Sequence, residues 1–394
     1  FLQGEGLAGS EPAAQLVART LETYAGSDLR DTVEGGFFRY STMRDFSEPH
    51  YERMLYDNAG LLSLYSRQGD LDTAAGIVSF LHSTLLVEGG FGSAQDSESI
   101  IEGLPSEGGY YLLDAVGREG LTPPKVDDKV ITGWNGLALR GLAEAHLAGV
   151  PGDPGKLGAQ VATWLLAHHV RDDGTLIRLS RKGIPGAAPA TLEDYGAFSL
   201  GLLELGMALG EARFITEALR LVESIAGEEL TVGRDEVMRE KGFTPRPDIQ
   251  EGASPSGISL FSQALVLAAT LRGDHDLIER ARGLLAPHVS QAMLTPLGAG
   301  GILQVLASLA REEREIIVVA DGPNDMIEIA RRHRTPGTLV LSVTGAQAQQ
   351  MLAAGVEILR GRTDGSIATA YVCHRGVCQL PAQSAEALLE QLQQ

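Results

Sequence analysis

The chain has 394 residues, of which 51 are acidic and 32 are basic, and its formal net charge is −19. This balance argues against nucleic acid and anionic membranes as partners, because both attract cationic surfaces. No apolar stretch reaches the roughly 18 residues that a transmembrane helix needs. Glycine is unusually frequent: it accounts for 48 of the 394 residues, well above its typical share of about 7%. No collagen-like or linker-like repeat explains this excess.

Apolar residues recur with helical spacing over most of the first 311 residues, where Thr175–Ser180 is the best strand signal. Helices rich in small apolar residues alternate with helices that are charged on one face. This alternation predicts a toroid of helical hairpins, in which inner and outer helices follow one another. The predicted helices lie near 12–26, 48–67, 70–87, 131–148, 155–169, 190–208, 211–229, 256–271, 274–289 and 293–311.

The segment 314–394 shows a different pattern. Apolar, β-branched runs near 315–320, 338–343 and 369–373 alternate with helical segments. Alternating strands and helices predict a small α/β domain. We therefore expect a mainly α toroid domain over 1–313 and a small α/β domain over 314–394.

The first candidate site combines Gly35-Gly-Phe-Phe-Arg-Tyr-Ser41 with the stretch 49–58. A helix over 48–67 would place His50 and Asp57 on one face, and a buried polar side chain there needs hydrogen-bond partners or a ligand. His50 and Asp57 are therefore candidate catalytic groups, with an internal hydrogen-bond node as the alternative for Asp57. The substrate-binding candidates of this block are Arg39, Tyr40, Tyr56 and Asn58.

Two further blocks repeat the combination of glycine, aromatic and polar residues. The block 88–97 contributes Asp96 as a candidate catalytic carboxylate, and the block 126–136 contributes Asp128. An Asx-turn at the first and a helix cap at the second are the alternatives. The substrate-binding candidates of these two blocks are Gln95, Trp134 and Asn135.

The remaining blocks open the predicted helices 190–208 and 256–271. Asp194 is a candidate catalytic carboxylate, and Tyr195 and Ser256 are substrate-binding candidates, although helix capping also explains such starts. Because every polar block precedes or opens an inner helix, we expect all the blocks to converge at one mouth of the toroid. Their glycines would let the backbone turn tightly and approach a ligand closely.

The sequence gives no support for a cofactor or a metal. The G-x-G-x-x-G pattern of Gly4–Gly9 lacks the preceding strand that a dinucleotide fingerprint requires. No H-E-x-x-H, P-loop or G-x-S-x-G motif is present. Cys373 and Cys378 flank a predicted hairpin turn at Arg375-Gly376. For a protein that we expect to be cytoplasmic, two free thiols are favoured over a disulfide.

The blocks resemble, in order, the motifs of a known family: GGFFRYS (35–41), PHYERMLYDNA (49–59), GGFGSAQDSES (89–99), DDKVITGWNGL (127–137), LEDYGAF (192–198), SPSGIS (254–259) and YVCHRGVC (371–378). That family is the YyaL-like, spermatogenesis-associated proteins with a thioredoxin-like domain. The resemblance implies a six-hairpin (α/α)6 toroid, similar to N-acylglucosamine 2-epimerases and six-hairpin glycosidases, and here incomplete at its start. It also implies a preceding thioredoxin-like domain outside this sequence. Because the sequence begins with Phe1, we expect a longer natural chain.

Two classes of function remain open. A carbohydrate-active protein would be a glycosidase-like hydrolase with two carboxylates flanking the bond, or a sugar epimerase or isomerase with bases beside an acidic carbon. Because His50 is the one histidine in the polar blocks, an epimerase with two catalytic histidines is disfavoured. The alternative is a non-catalytic scaffold whose toroid mouth binds a glycan or a partner. We expect a small-molecule or glycan ligand, and the sequence defines no oligomeric state.

Overall fold

The structure is a computed structural model that describes residues 1–225, 249 and 251–393. It divides into two compact units. We call Leu16–Ala190 the N-terminal unit, and Phe1–Gln15 with Thr191–Gln394 the C-terminal unit. None of the helices within the described ranges carries an apolar run of the length that a bilayer requires.

The elements are numbered in chain order. The α-helices of the described ranges are α1 (Leu2–Leu7), α2 (Glu11–Ala25), α3 (Leu55–Gln68), α4 (Leu71–Phe80), α5 (Ala115–Arg118), α6 (Thr132–Ala148), α7 (Pro154–His169), α8 (Leu192–Leu209), α9 (Ala212–Glu223), α10 (Gly257–Arg272), α11 (His275–Leu285), α12 (Val289–Leu294), α13 (Gly300–Ala310), α14 (Asp325–Arg332), α15 (Gly345–Ala353) and α16 (Ala385–Leu392). The strands are β1 (Tyr40–Ser41), β2 (Pro49–His50), β3 (Arg53–Met54), β4 (Leu86–Val87), β5 (Gly90–Gln95), β6 (Glu98–Ile101), β7 (Leu104–Glu107), β8 (Val126–Ile131), β9 (Leu179–Arg181), β10 (Ile184–Pro185), β11 (Arg314–Val319), β12 (Thr338–Val343), β13 (Thr369–His374) and β14 (Val377–Cys378).

In the N-terminal unit, α3 packs against α6, and short antiparallel strands precede both helices. The strands form a sheet in the order β10-β9-β8-β5-β3, with β4 paired to β5. The backbones of α3 and α6 come close because Gly141 replaces a side chain at their contact. A Cβ atom there would meet the carbonyl oxygen of Ala59 at 2.8 Å.

The C-terminal unit uses the same device between α8 and α10. A Cβ atom on Gly196 would meet the backbone of Leu260 and Phe261 at 2.9 Å or less. Helices α9 and α11 pack on α8 and α10 respectively. The small sheet that follows has the order β12-β11-β13-β14, with β11 and β12 parallel and the other pairs antiparallel.

Several predicted boundaries differ from the structure. The predicted helix 48–67 begins only at Leu55, because the backbone of β2 and β3 is extended and pairs with β1 and β5. Within the predicted helix 70–87, the observed α-helix ends at Phe80, and a π-helical turn follows over Leu81–Leu85. The predicted helix 211–229 ends at Glu223, and its last four predicted residues lie outside the described residues.

Strands before residue 311 are more numerous than the sequence predicts. In the sheet of β3, β5, β8, β9 and β10, strand β3 lies within the predicted helix 48–67, and no strand is predicted at β5, β8 or β10. The predicted strand 175–180 is confirmed only at its end, in β9. All six residues of β5 are buried, so this strand has no alternation of buried and exposed positions that could reveal it, and two of the six residues are glycines. Beyond residue 313 the predicted strands and helices are confirmed. The domain boundary between 313 and 314 stays a prediction, and β11 begins at Arg314.

The expectation of two free cysteines is wrong. The hairpin of β13 and β14, with the predicted turn at Arg375 and Gly376, places Cys373 directly opposite Cys378. A disulfide bond joins the two residues. The register of the hairpin brings the sulfur atoms together, and a prediction from cellular compartment alone could not include that geometry.

Candidate functional site

Two asparagines hold the Gly-Gly-Phe segments of the N-terminal unit. Asn58, the fourth residue of α3, accepts a hydrogen bond from the Phe37 backbone N–H at 2.8 Å and donates to the Phe37 carbonyl at 3.0 Å. Asn135, the fourth residue of α6, makes the same pair of bonds with Phe91 at 2.8 and 3.0 Å. Each amide also donates to the residue before its helix, Met54 or Ile131. These hydrogen bonds commit both side chains to the protein, so the structure does not present them to a ligand.

The glycines of these segments make room for protein neighbours. Gly36 has φ of +77°, and a Cβ atom on it would meet the Phe80 ring at 2.7 Å and the Asn58 Oδ1 atom at 3.1 Å. A Cβ atom on Gly90 would meet Val130 at 2.7 Å. The tight turn expected from the sequence is present at Gly36. The space beside both glycines is filled by protein, which corrects the expectation of close approach to a ligand there.

A buried ionic network lies beside the first segment. Arg53 in β3 has no exposed surface, and its guanidinium contacts Asp31 at 2.9 Å and Glu34 at 2.6 Å. Arg118 also contacts Asp31 at 2.9 Å. Two cations and two carboxylates thus neutralise one another, as buried charges require.

Gln95 is a member of this network and is not oriented toward a ligand. Its Oε1 atom accepts hydrogen bonds from Arg53 Nε at 3.1 Å and from Arg53 Nη2. Its Nε2 atom donates to the Pro124 carbonyl at 3.0 Å. These hydrogen bonds bind the Gln95 side chain to the protein, and its substrate-binding role stays a prediction.

Several of the predicted residues do meet at the start of α3. Arg39 Nη1 lies 3.1 Å from Glu52 Oε2, and the Arg39 charge also interacts electrostatically with Tyr56. The Tyr56 ring meets Trp134 edge to face, with ring centroids 4.7 Å apart. Asp57 follows Tyr56 in the first turn of α3 and interacts with the charge of Arg39.

The same group extends to a stacked pair at the surface. Glu52 Oε2 lies 3.5 Å from His50 Nδ1. The imidazole of His50 stacks on Tyr40, with centroids 5.1 Å apart and planes 22° from parallel. We call the whole group the Asp57 cluster: Arg39, Tyr40, His50, Glu52, Tyr56, Asp57 and Trp134.

Asp57 is the unusual carboxylate of this cluster. Its Oδ2 atom is fully buried and finds no hydrogen-bond partner in the described part of the chain. Burial raises the pKa of the Asp57 carboxyl to about 7, although the positive charge of Arg39 acts in the opposite direction. An unpaired buried acceptor costs about 1–3 kcal/mol, so such groups call for an explanation, and a ligand or proton-transfer role is one.

Glu52 was not among the predicted residues. A helix over 48–67 would have turned residue 52 away from the face shared by 50 and 57. The observed backbone is extended on either side of residue 52, and the Glu52 carboxylate instead bridges Arg39 and His50. Its position within the polar run from His50 to Arg53 was the available signal.

Asp96 and Asp128 lie in other surroundings. Asp96 is exposed, and its Oδ1 atom accepts a hydrogen bond from the Glu98 backbone N–H at 3.2 Å, as in the Asx-turn alternative. Asp128 in β8 is ion-paired with Arg181 of β9. The structure therefore supplies neither residue as a desolvated, unpaired carboxylate.

In the C-terminal unit, capping explains two of the three predicted residues. Asp194 accepts hydrogen bonds from the Thr191 backbone and hydroxyl at 2.8 and 2.9 Å and forms a capping box at the start of α8. Ser256 caps α10 by accepting from the Ser259 backbone N–H at 3.2 Å. Tyr195 is buried within α8. The expected convergence of these residues with the Asp57 cluster stays a prediction.

The chain is similar to proteins named spermatogenesis-associated protein 20. The alignment with the Mus musculus protein is 26% identical and covers 78% of this chain and 53% of that protein. The alignment with the Homo sapiens protein is 23% identical and covers 94% of this chain and 61% of that protein. The chain thus spans less than two thirds of these curated relatives. The resemblance expected from the motifs is confirmed, while no family model matches the sequence.

Among solved structures, D-mannose isomerase is similar with a TM-score of 0.50 and 11% identity, over 68% of this chain and 69% of that chain. Cellobiose 2-epimerase from Spirochaeta thermophila is matched with a TM-score of 0.47 and 15% identity, over 73% and 72%. The likeness to D-mannose isomerase concerns the fold. It confirms the predicted fold class, an (α/α)6 arrangement of helical hairpins with a small C-terminal sheet region.

Proposed function

We propose that the chain binds a sugar-like polyhydroxy ligand at the Asp57 cluster, and that Asp57 transfers a proton in an isomerisation or epimerisation. The observation that carries this proposal is the buried, unpaired Oδ2 atom of Asp57 on a carboxyl whose pKa is raised to about 7. A general base works best when its pKa lies near the working pH. The cluster is also open to solvent on one side, since the Arg39 side chain is 42% exposed.

The neighbours of Asp57 suit such a reaction. In the proposed step, Asp57 takes a proton from the carbon next to the ligand's carbonyl group, and the electrons of the broken C–H bond move to the carbonyl oxygen. Arg39 supplies the positive charge that would stabilise this oxyanion. An isomerisation is complete when the proton returns to the former carbonyl carbon and the hydroxyl proton of the adjacent carbon passes to the oxyanion, so that the carbonyl group moves to that adjacent carbon. An epimerisation is complete when the intermediate turns over before Asp57 returns the proton to the opposite face of the carbon from which it came. Trp134 is partly exposed and offers aromatic surface to a sugar ring, and the buried Tyr56 packs against it.

Proton transfer by one carboxyl is favoured over hydrolysis by two. Hydrolysis of a glycosidic bond needs a second carboxylate about 5–10 Å from the first. Within the described N-terminal unit, Glu52 is already ion-paired with Arg39 and close to His50. Asp128 is ion-paired with Arg181. D-mannose isomerase, whose fold is similar, makes simple aldoses and ketoses reasonable test ligands.

Solvent-exchange NMR tests this proposal. The chain is incubated in D₂O with a panel of aldoses and ketoses, and deuterium at the carbon next to the carbonyl is measured. We expect exchange with at least one sugar, and a loss of about 10²–10⁴-fold in Asp57→Asn, the usual contribution of a general base. Asp96→Asn is the matched control, because Asp96 is exposed and not part of the cluster.

Two outcomes would contradict the proposal. Exchange at the wild-type rate in Asp57→Asn would remove Asp57 from the reaction. Sugar binding without any exchange by the wild-type chain would instead favour the non-catalytic glycan-binding alternative. Calorimetric titration of the same sugars distinguishes that result from a chain that binds none of them.

A further inference from the structure

The C-terminal hairpin presents its two cysteines in unequal surroundings. Cys373 lies in β13 and is 1% exposed, whereas Cys378 lies in β14 and is partly exposed. The two residues are directly opposite in the antiparallel register, and a disulfide joins them. A reagent from solution therefore reaches Cys378 more readily than Cys373.

A guanidinium group lies against the more exposed sulfur. Arg362 Nη2 is 2.7 Å from Cys378 Sγ. The same side chain donates to the Ile358 carbonyl and lies 5.4 Å from the Tyr371 ring centroid, so it is held in place by groups other than the sulfur. A fixed cation beside a cysteine stabilises its thiolate, which is the nucleophilic form.

A carboxyl group lies next to the buried cysteine. Glu315 in β11 is directly opposite Cys373 in the register with β13, so both side chains project from the same face of the sheet. Glu315 is 6% exposed, and burial and the charge of Glu313 raise the pKa of its carboxyl, while Arg362 acts in the opposite direction. Glu315 can therefore accept a proton from the thiol of Cys373 when the disulfide is open.

We propose that Cys373 and Cys378 form a redox-active pair that exchanges electrons with low-molecular-weight disulfides. In the reduced chain the Cys378 thiolate attacks one sulfur of the disulfide R–S–S–R. The S–S bond breaks, and the first RS⁻ leaves and takes a proton from water. Cys373 then passes its proton to Glu315 and attacks Cys378 Sγ, which releases the second RS⁻, and this thiolate takes the proton from Glu315. Two cysteine thiols are oxidised, and one external disulfide is reduced to two thiols.

Oxidised glutathione is the probe. The full chain is reduced, freed of reductant under anaerobic conditions, and mixed with oxidised glutathione at pH 7. Mass spectrometry follows the mixed disulfide and the return of the internal disulfide. We expect Cys373→Ser to accumulate glutathione at Cys378, and Cys378→Ser to react far more slowly.

Arg362→Gln tests the role of the cation. We expect the reaction of Cys378 to slow by about tenfold, because the thiolate loses the cation that stabilises it. Arg362→Lys should restore most of the rate. Arg360→Gln is the matched control, because Arg360 is 73% exposed and ion-paired with Glu357.

The proposal is overturned if the reduced chain reacts with oxidised glutathione no faster than an unfolded cysteine peptide. It is also overturned if Arg362→Gln leaves the rate unchanged, or if glutathione attaches equally to both cysteines. A circular dichroism spectrum of each variant shows whether it is folded, and Arg362→Lys provides the test if Arg362→Gln is not.

Discussion

The starts of α3 and α6 use one device with two different outcomes. In both helices the fourth residue is an asparagine whose amide holds a Gly-Gly-Phe segment by the backbone of its phenylalanine. The third residue differs: it is Asp57 in α3 and Trp134 in α6. Both third residues belong to the Asp57 cluster. The comparison teaches that the fourth position holds a Gly-Gly-Phe segment, while the third position contributes its side chain to the Asp57 cluster.

The largest expected effect concerns the two asparagines. Asn58→Ala and Asn135→Ala each leave a buried backbone N–H and carbonyl without a side-chain partner, at about 1–3 kcal/mol for each group. We expect losses of roughly 2–5 kcal/mol in both variants. Hydrogen exchange should show lost protection of the Phe37 amide in the first variant and of the Phe91 amide in the second. If the Phe91 amide keeps its wild-type protection from exchange in Asn135→Ala, the starts of α3 and α6 are not equivalent.

A smaller effect is expected from Asp57→Asn on stability. The folded pKa of Asp57 is raised to about 7 from 3.8. The wild-type carboxyl therefore contributes its full stability below about pH 4, and that stability is lost as the pH rises through 7. We expect Asp57→Asn to be more stable than wild type by roughly 1–3 kcal/mol at pH 8, with little gain at pH 4.

Thermal unfolding at pH 4, 6 and 8 measures this difference. Asp96→Asn controls for the change from acid to amide at an exposed position of the same unit. A stability gain of the same size at pH 4 and pH 8 would show that the benefit does not come from removing a buried charge. The result also bears on catalysis, because stability gained by removing an unpaired carboxylate is typical of functional sites.

The smallest expected effect is that of Trp134→Ala on ligand binding. Loss of one aromatic face weakens such contacts by about 0.5–1.5 kcal/mol, or up to roughly tenfold in dissociation constant. Trp134→Phe should keep most of the affinity, since a ring at this position can still meet Tyr56. Calorimetric titration with the sugar identified by solvent exchange provides the measurement. Unchanged affinity in Trp134→Ala would show that the ligand does not contact Trp134 and binds at the part of the cluster next to Arg39.

The sequence predicted the pairs Asp57-Asn58 and Trp134-Asn135 as important without separating their roles. For Asp57 and Asn58 the argument is that a polar side chain in a buried helix face needs a partner, and it applies to both residues equally. For Trp134 and Asn135 it is that such residues at the start of a helix are typical of a ligand wall, and it too applies to both. The distinction depends on Phe37 and Phe91, which lie 21 and 44 residues away along the chain from their asparagines. Such pairings are set by tertiary packing, which local spacing does not encode.

The sequence was most informative where periodicity is long and regular. The helices α6, α7, α8 and α10 lie within two residues of their predicted bounds. The region 49–54 was predicted as helix because its pattern continues that of α3. Its extended form comes from pairing with β1 and β5, whose residues are distant in sequence. The same non-local pairing moved His50 off the helix, yet it brought His50 to Glu52 within the cluster.

The network of Arg53, Asp31, Glu34 and Arg118 constrains how the chain can change over evolutionary time. Removing one charge from a buried ionic group leaves its partner uncompensated, at about 3–5 kcal/mol, whereas replacing the whole group by apolar residues can be neutral. Each single substitution among these four positions is therefore a costly intermediate. In related chains these positions should be kept together or exchanged together, so that the quartet is inherited as a single character.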